Sequence, residues 1–157
     1  PLISGIAFNV NEAKLTLLNT PDIPGVASKI LGPIADSNIE IDMIVQNVSA
    51  DGQATDMTFT VAKADLERTK VILQEKKAEL GYEDLIAKDG VVKISIIGVG
   101  MRSHAGVAQT MFSTLAEKGI NIQVISTSEI KVSVLIAEEY TELAVRALHT
   151  AYGLDAA

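Results

Sequence analysis

Lys14-Leu-Thr-Leu-Leu18 and Lys93-Ile-Ser-Ile-Ile97 read as one strand written twice, and the segments downstream of the two strands match in the same order. Pro24-Gly-Val-Ala27 corresponds to Ala105-Gly-Val-Ala108, and Ile34-Ala-Asp-Ser-Asn-Ile-Glu-Ile41 to Leu115-Ala-Glu-Lys-Gly-Ile-Asn-Ile122. The lysines stand 79 positions apart and Gly25 and Gly106 stand 81 apart, so the second copy has gained two residues between strand and helix. A duplicated strand–glycine–helix–strand unit creates two related corners. That is the geometry of a ligand sensor more than of a single active site.

On either side of these segments, Ile3 to Phe8 reads as a short apolar strand that Asn9-Val-Asn-Glu12 breaks, and Ala13 to Leu18 as a second, buried strand. Asn19-Thr-Pro-Asp-Ile-Pro24 is loop chemistry. Val26, Ile30 and Ile34 then recur at helical spacing, with Pro33 predicting a kink or an early end. Ile39 to Val48 and Ala54 to Val61 read as strands joined by a turn at Ala50-Asp-Gly-Gln53. Asp65 is expected to cap a long charged helix that ends at Gly81, a solvated outer face. Glu83 to Lys88 reads as an edge strand and Asp89-Gly90 as a turn. The second copy offers strands at 91–97, 120–126 and 130–137, and helices at 106–118 and 141–151.

The first copy therefore has six elements in the order βαββαβ, and the second only five. Ile3–Phe8 is the candidate to complete it. The expected organisation is one unit over residues 12–90 inserted into a second made of 1–11 plus 91–157. The fold class is α+β, two ferredoxin-like units. Fold alone carries no function.

Composition excludes several classes. The chain has 157 residues, 48% hydrophobic, enough for a substantial core. Net charge is −7, only 4% of residues are aromatic and there is no Trp, which argues against a nucleic-acid partner. The absence of Cys removes disulfides and thiolate metal sites. No apolar run approaches the ~20 residues of a membrane span, and the start lacks a signal-peptide pattern. A cytoplasmic location fits these features. The chain begins at Pro1, so an excised piece of a longer protein is expected.

The chemistry sits in the corners. Thr20-Pro-Asp-Ile-Pro-Gly-Val-Ala27 joins a strand to a helix through Gly25, whose lack of a side chain permits close approach. First-turn N–H groups favour a carboxylate, and Asp22 beside them favours an ammonium. One corner could hold both ends of an amino acid; equally, Asp22 could be a capping residue and Gly25 a packing glycine. The second corner, Gly98 to Gly106, hints at a nucleotide loop but lacks the third glycine and the Lys-Ser/Thr of a phosphate loop. His104 has only His149 as a second histidine, far away in sequence, so no metal set is read. No catalytic constellation is present. Gln46, Asn47 and Ser49, with Ser126, Thr127 and Ser128, close the second strand of each copy. They face a ligand or the partner chain, or else bond within their own sheet and turn.

Ile41-Asp-Met-Ile-Val-Gln-Asn-Val-Ser49, Asp56-Met-Thr-Phe-Thr60, Gly98-Val-Gly-Met-Arg-Ser-His-Ala-Gly-Val107 and Ile125-Ser-Thr-Ser-Glu-Ile-Lys-Val-Ser133 together resemble the C-terminal regulatory region of bacterial aspartate kinases, a tandem pair of ACT domains. The resemblance covers nearly the whole chain. It implies that the first ACT unit is inserted into the second, and that lysine, threonine or both bind where the units meet, as feedback inhibitors. The residues it implies are Asp22, Ile23, Pro24, Gly25, Val26, Ala27, Gln46 and Thr58 of the first unit with Asn121 and Ile122 of the second. A pseudo-symmetric site would use Ser103, His104, Ala105, Gly106 and Val107 with Glu40, Ile41 and Asp42. Asn47, Ser49, Ser126, Ser128 and Glu129 would lie near these sites. Ala105 stands where the first corner has Pro24, and no aspartate matches Asp22, so the two sites are expected to differ in ligand. The resemblance implies no catalysis and no cofactor in this chain, ATP and Mg belonging to an absent kinase domain. It also implies a kinase domain or alpha chain as partner, and the exposed edges of each ACT sheet lead us to expect a homodimer built mainly by the first ACT units. The alternative is a structural dimerisation module with no ligand of its own.

Overall fold

Ala13, Leu15 and Leu17 are fully buried while Thr16 and Leu18 beside them are half-exposed, the period-two signature of a strand with one covered face. In the computed structural model, which describes residues 3–98 and 104–154, these residues belong to β1 (Ile3–Pro21). The chain continues through α1 (Val26–Asp36), β2 (Ile44–Val48), β3 (Ala54–Val61), α2 (Leu66–Glu75), α3 (Lys77–Leu80), β4 (Asp84–Gly98), α4 (His104–Glu117), β5 (Val124–Thr127), β6 (Lys131–Ala137) and α5 (Thr141–Ala151). It divides into two compact units, an inner one of Asn11–Asp89 and an outer one of Pro1–Val10 with Gly90–Ala157. The fold is α+β with antiparallel strands.

Within the inner unit the strand order is β2-β3-β1-β4, and within the outer unit β1-β4-β6-β5. Each is the ferredoxin-like order, in which the last strand of the unit lies beside its first. The outer unit's last strand is the N-terminal part of β1, where the Ser4 hydroxyl donates to the Ile97 carbonyl at 3.1 Å. In the inner unit the Glu83 N–H reaches the Leu18 carbonyl at 2.8 Å.

Each unit has its own core. Val26, Ile30 and Ile34 of α1 meet Leu15, Leu17, Met57 and Phe59 of the inner sheet. Val107, Met111 and Leu115 of α4, with Ala144 and Leu148 of α5, meet Ile94, Ile96, Val132, Val134 and Ile136 of the outer sheet. The helix ends repeat as well. Asn38 (φ 60) and Gly119 (φ 70) adopt left-handed backbone, and the next N–H, of Ile39 or Ile120, returns to the carbonyl of Ile34 or Leu115. The Tyr152 hydroxyl donates to the Val107 carbonyl at 2.6 Å and ties the end of α5 to the first turn of α4.

The structure departs from local sequence signals at six places. Asn9–Glu12 does not break β1, and Asp89-Gly90 makes no turn, since β4 runs through it. Both segments carry the chain from one unit to the other in extended form, so no change of direction is needed. Residues 39–43 are not a regular strand. There the Asp42 N–H and the Met43 carbonyl both bond the Thr60 backbone at 3.0 Å and the Met43 N–H goes to the Thr60 hydroxyl at 2.9 Å, so two residues oppose one. Helix α1 passes through Pro33; the lost bond is one of several, and Ile30 and Ile34 on either side are fully buried. Asp65 makes no cap hydrogen bond, because a 3-10 turn over Lys63–Asp65 precedes α2 and its carboxylate pairs with Arg68 at 2.9 Å. The charged helix is also split at Lys76 into α2 and α3.

Candidate functional site

The inner corner is built at the end of β1. Asn19 takes left-handed backbone (φ 52), and the β1–β3 register slips between Leu17 and Thr20. Alternation alone would place Thr20 with the half-exposed Thr16 and Leu18. The irregularity reverses the phase and turns Thr20 inward. It is fully buried, and its hydroxyl has no hydrogen-bond partner among the described residues, a costly condition for a buried polar group. Sequence reasoning missed this residue, whose only signal is its place before Pro21.

Beyond it, the Asp22 N–H bonds the Gln53 carbonyl at 3.0 Å and holds the corner against the β2–β3 turn. Gly25 precedes α1 with φ 90 and supplies no side-chain cap. The Val26 N–H is taken by the Ile23 carbonyl at 3.1 Å, which leaves the Ala27 and Ser28 amides of the first turn without a partner among the described residues, at the positive end of the helix dipole. Asp22 is half-exposed, and its carboxylate has no partner among the described residues. Ile23, Pro24 and Gly25 are exposed, Val26 is buried and Ala27 is half-buried. The corner thus presents an anion-accepting helix end and a carboxylate suited to an ammonium.

The neighbouring strands place the other sequence-derived residues unevenly. Gln46 is opposite Met57 and shares the side of the sheet that α1 covers. Thr58 is opposite Val45 on the other side, its hydroxyl 2.9 Å from that of Thr16. Adjacent strand residues point to opposite faces, so Gln46 and Thr58 do not share a surface of the inner unit. Asn47 offers its carbonyl to the Thr55 hydroxyl at 3.4 Å. Ser49 serves the turn: its hydroxyl donates to Asp51 at 2.6 Å and accepts the Ala54 N–H at 3.1 Å. The Ser49 hydroxyl, then the Gln53 N–H, holds the Asp51 carboxyl below its ordinary pKa. Glu40 is exposed and Ile41 half-buried; Asp42 is exposed, and its N–H bonds the Thr60 carbonyl at 3.0 Å.

In the outer unit, Ser103 and the His104 side chain lie outside the described residues. Ala105 and Gly106 are exposed in the first turn of α4 and Val107 is buried. Asn121 is exposed, and Ile122 packs against the outer core. Ser126 is half-exposed opposite Ser133, the Ser128 N–H bonds the Lys131 carbonyl at 2.8 Å, and Glu129 is exposed. No cluster of three metal-binding side chains occurs among the described residues. No helix among them is long and apolar enough to cross a membrane.

A glycine-opened helix end on one of two duplicated ferredoxin-like units, with a carboxylate beside it, defines a regulatory binding module of the ACT class. Residues 15–81 and 94–152 each match an ACT domain. The chain is 61% identical over 156 residues to the aspartate kinase of Pseudomonas putida, covering 99% of this chain and 38% of that protein. It thus spans well under half the length of the curated relatives it matches. Its structure resembles a chain of a crystal structure of aspartokinase alpha and beta subunits, with TM-score 0.90 and 53% identity, covering 96% of this chain and 99% of that one. The ligand-free regulatory subunit of aspartate kinase from Thermus thermophilus gives TM-score 0.90 and 37% identity, covering 97% and 99%. This chain belongs to the aspartate kinase family, as its tandem-ACT regulatory region, and is not the catalytic part of such an enzyme.

Proposed function

We propose that the chain is the amino-acid-sensing module through which lysine, threonine or both feed back on ATP-dependent aspartate phosphorylation in the cytoplasm. The observation that carries this reading is the inner corner. A free amino acid offers a carboxylate for the first-turn amides of α1 and an ammonium for Asp22. The effector acts by binding two states of the parent enzyme with different affinity. Calorimetry of the chain with lysine and with threonine tests the reading. Saturable heat is expected with at least one, and Asp22→Ala is expected to weaken it by about 1.5–3 kcal/mol, one charge-assisted hydrogen bond. Unchanged affinity in the variant removes the role given to Asp22, and no heat with either amino acid removes the sensor.

A second role is supported by a separate observation. Strand β2 is an edge strand whose five residues are all exposed, including Ile44, Val45 and Val48. Exposed apolar edges pair unless covered, and a closed twofold is the commonest way to cover them. We propose a homodimer formed through the inner units. A chain that sediments as a dimer but binds neither amino acid would leave dimerisation as its whole function. A kinase domain or alpha chain is the partner through which either role would reach catalysis.

A further inference from the structure

The outer sheet has a second face, opposite α4 and α5. Lys93, Ser95 and Ile97 of β4 stand there with Leu135, Ser133 and Lys131 of β6, each opposite its partner in register. Together with Ala7, Phe8 and Asn9 of β1, the two lysines, Ser95 and Ile97 line a cavity of about 210 Å³. Among the described residues no carboxylate lines it. Lys93 is already engaged by a neighbour. The Lys131 ammonium makes no ion pair among the described residues.

Ser95 and Ser133 are 3% and 4% exposed, with hydroxyl oxygens 2.7 Å apart. Two hydroxyls carry two protons and their mutual bond uses one. The second proton is left without an acceptor among the described residues, in a place nearly closed to water. Where Ser133 donates to Ser95, the Ser95 proton is left for the cavity that Ser95 lines, and the Lys131 ammonium stands on its wall.

The inner unit shows what this arrangement lacks. Thr16 and Thr58 form the corresponding hydroxyl pair, 2.9 Å apart, and Lys14 corresponds to Lys93. The residue two positions before Thr58 is Asp56, whereas the residue two positions before Ser133 is Lys131. Asp56 is engaged locally, accepting the Asn19 N–H at 2.8 Å. The inner unit thus carries its own anion where the outer unit carries a second cation.

We propose that the outer cavity binds a small free carboxylate, held by Lys131 with the Ser95 hydroxyl, its short apolar stem against Ile97 and Phe8. The volume sets the size. It equals about seven water molecules at ~30 Å³ each and lies below the ~300 Å³ at which pockets for larger ligands begin, so a carboxylic acid of a few carbons fits. The site is independent of the inner corner and of the amino acid proposed there.

The test is a nitrogen-15 amide titration of this chain with succinate, alongside neutral succinamide and sodium chloride at matched ionic strength. Saturable shifts are expected at Lys93, Ser95, Ile97 and Lys131 with succinate alone. Lys131→Gln should weaken the effect about tenfold, one charge-assisted contact. Lys131→Asp, which copies the inner unit, should abolish it while leaving the dispersed spectrum of a folded chain. Equal shifts with chloride or succinamide, no saturation, or full affinity in a folded Lys131→Asp variant would each overturn the proposal.

Discussion

In the inner unit the Thr16 and Thr58 hydroxyls meet at 2.9 Å on a half-exposed face, with Asp56 nearby in the strand; in the outer unit Ser95 and Ser133 meet at 2.7 Å, nearly closed to solvent, with Lys131 in the matching position. The strand pairing is the same in both, Thr16 opposite Thr58 and Ser95 opposite Ser133. A ladder is made by backbone groups and is indifferent to the charge that a side chain presents on its face. Duplicated units can therefore keep one backbone while their surfaces diverge in chemistry. The cores differ in the same manner: Phe59 fills the inner core where Val134 stands in the outer, at equal spacing from the hydroxyl pair.

The largest expected effect comes from that core difference. Phe59→Ala should cost about 3–5 kcal/mol, the range for emptying a large buried aromatic. Val134→Ala should cost less, about 1.5–3 kcal/mol for a buried aliphatic side chain. Urea unfolding of both variants compares them, and equal losses would break the asymmetry drawn between the cores.

The hydroxyl pairs come next. Ser133→Ala leaves the Ser95 hydroxyl buried without a partner and should cost ~1–3 kcal/mol. Thr58→Val leaves Thr16 half-exposed, free to bond water, and should cost about 0.5 kcal/mol. The same denaturation curves give both, and the reverse order would mean that burial does not separate the two pairs.

The smallest effects are alkaline and opposite in sign. Burial pushes the Tyr152 hydroxyl of the outer unit up to about 12 from 10.0. Between those values the unfolded chain loses its proton first, so stability falls as pH rises through that window. Burial, and after it the neighbouring charge of Lys88, lowers the Lys14 ammonium of the inner unit below 10.5. There the folded chain loses its proton first, and stability rises with pH up to 10.5. Urea midpoints followed from about pH 9 to about pH 12 should show a shallower fall in Tyr152→Phe and a lost rise in Lys14→Met. A change of the same sign in both variants would refute the opposition.

Much of the molecule was legible in its sequence for a local reason. The helical stripe Val26, Ile30, Ile34, the alternation of Ala13, Leu15 and Leu17, and the repeated corners are short-range patterns, and they specify the elements, their order and the kinship with ACT regulatory regions. Other features depend on partners far away in the chain. Asn9–Glu12 and Asp89-Gly90 carry turn-forming residues yet stay extended, because strand pairing and the passage between units outweigh local propensity. Thr20 is buried only because a register slip against β3 reverses the phase of β1. The two lysines of the outer cavity lie 38 residues apart in sequence and reach one face only through the β4–β6 register. Short-range pattern is enough to say which elements form and which family they make. Which polar groups end up buried without partners is a tertiary outcome, because burial depends on what distant parts of the chain place over them.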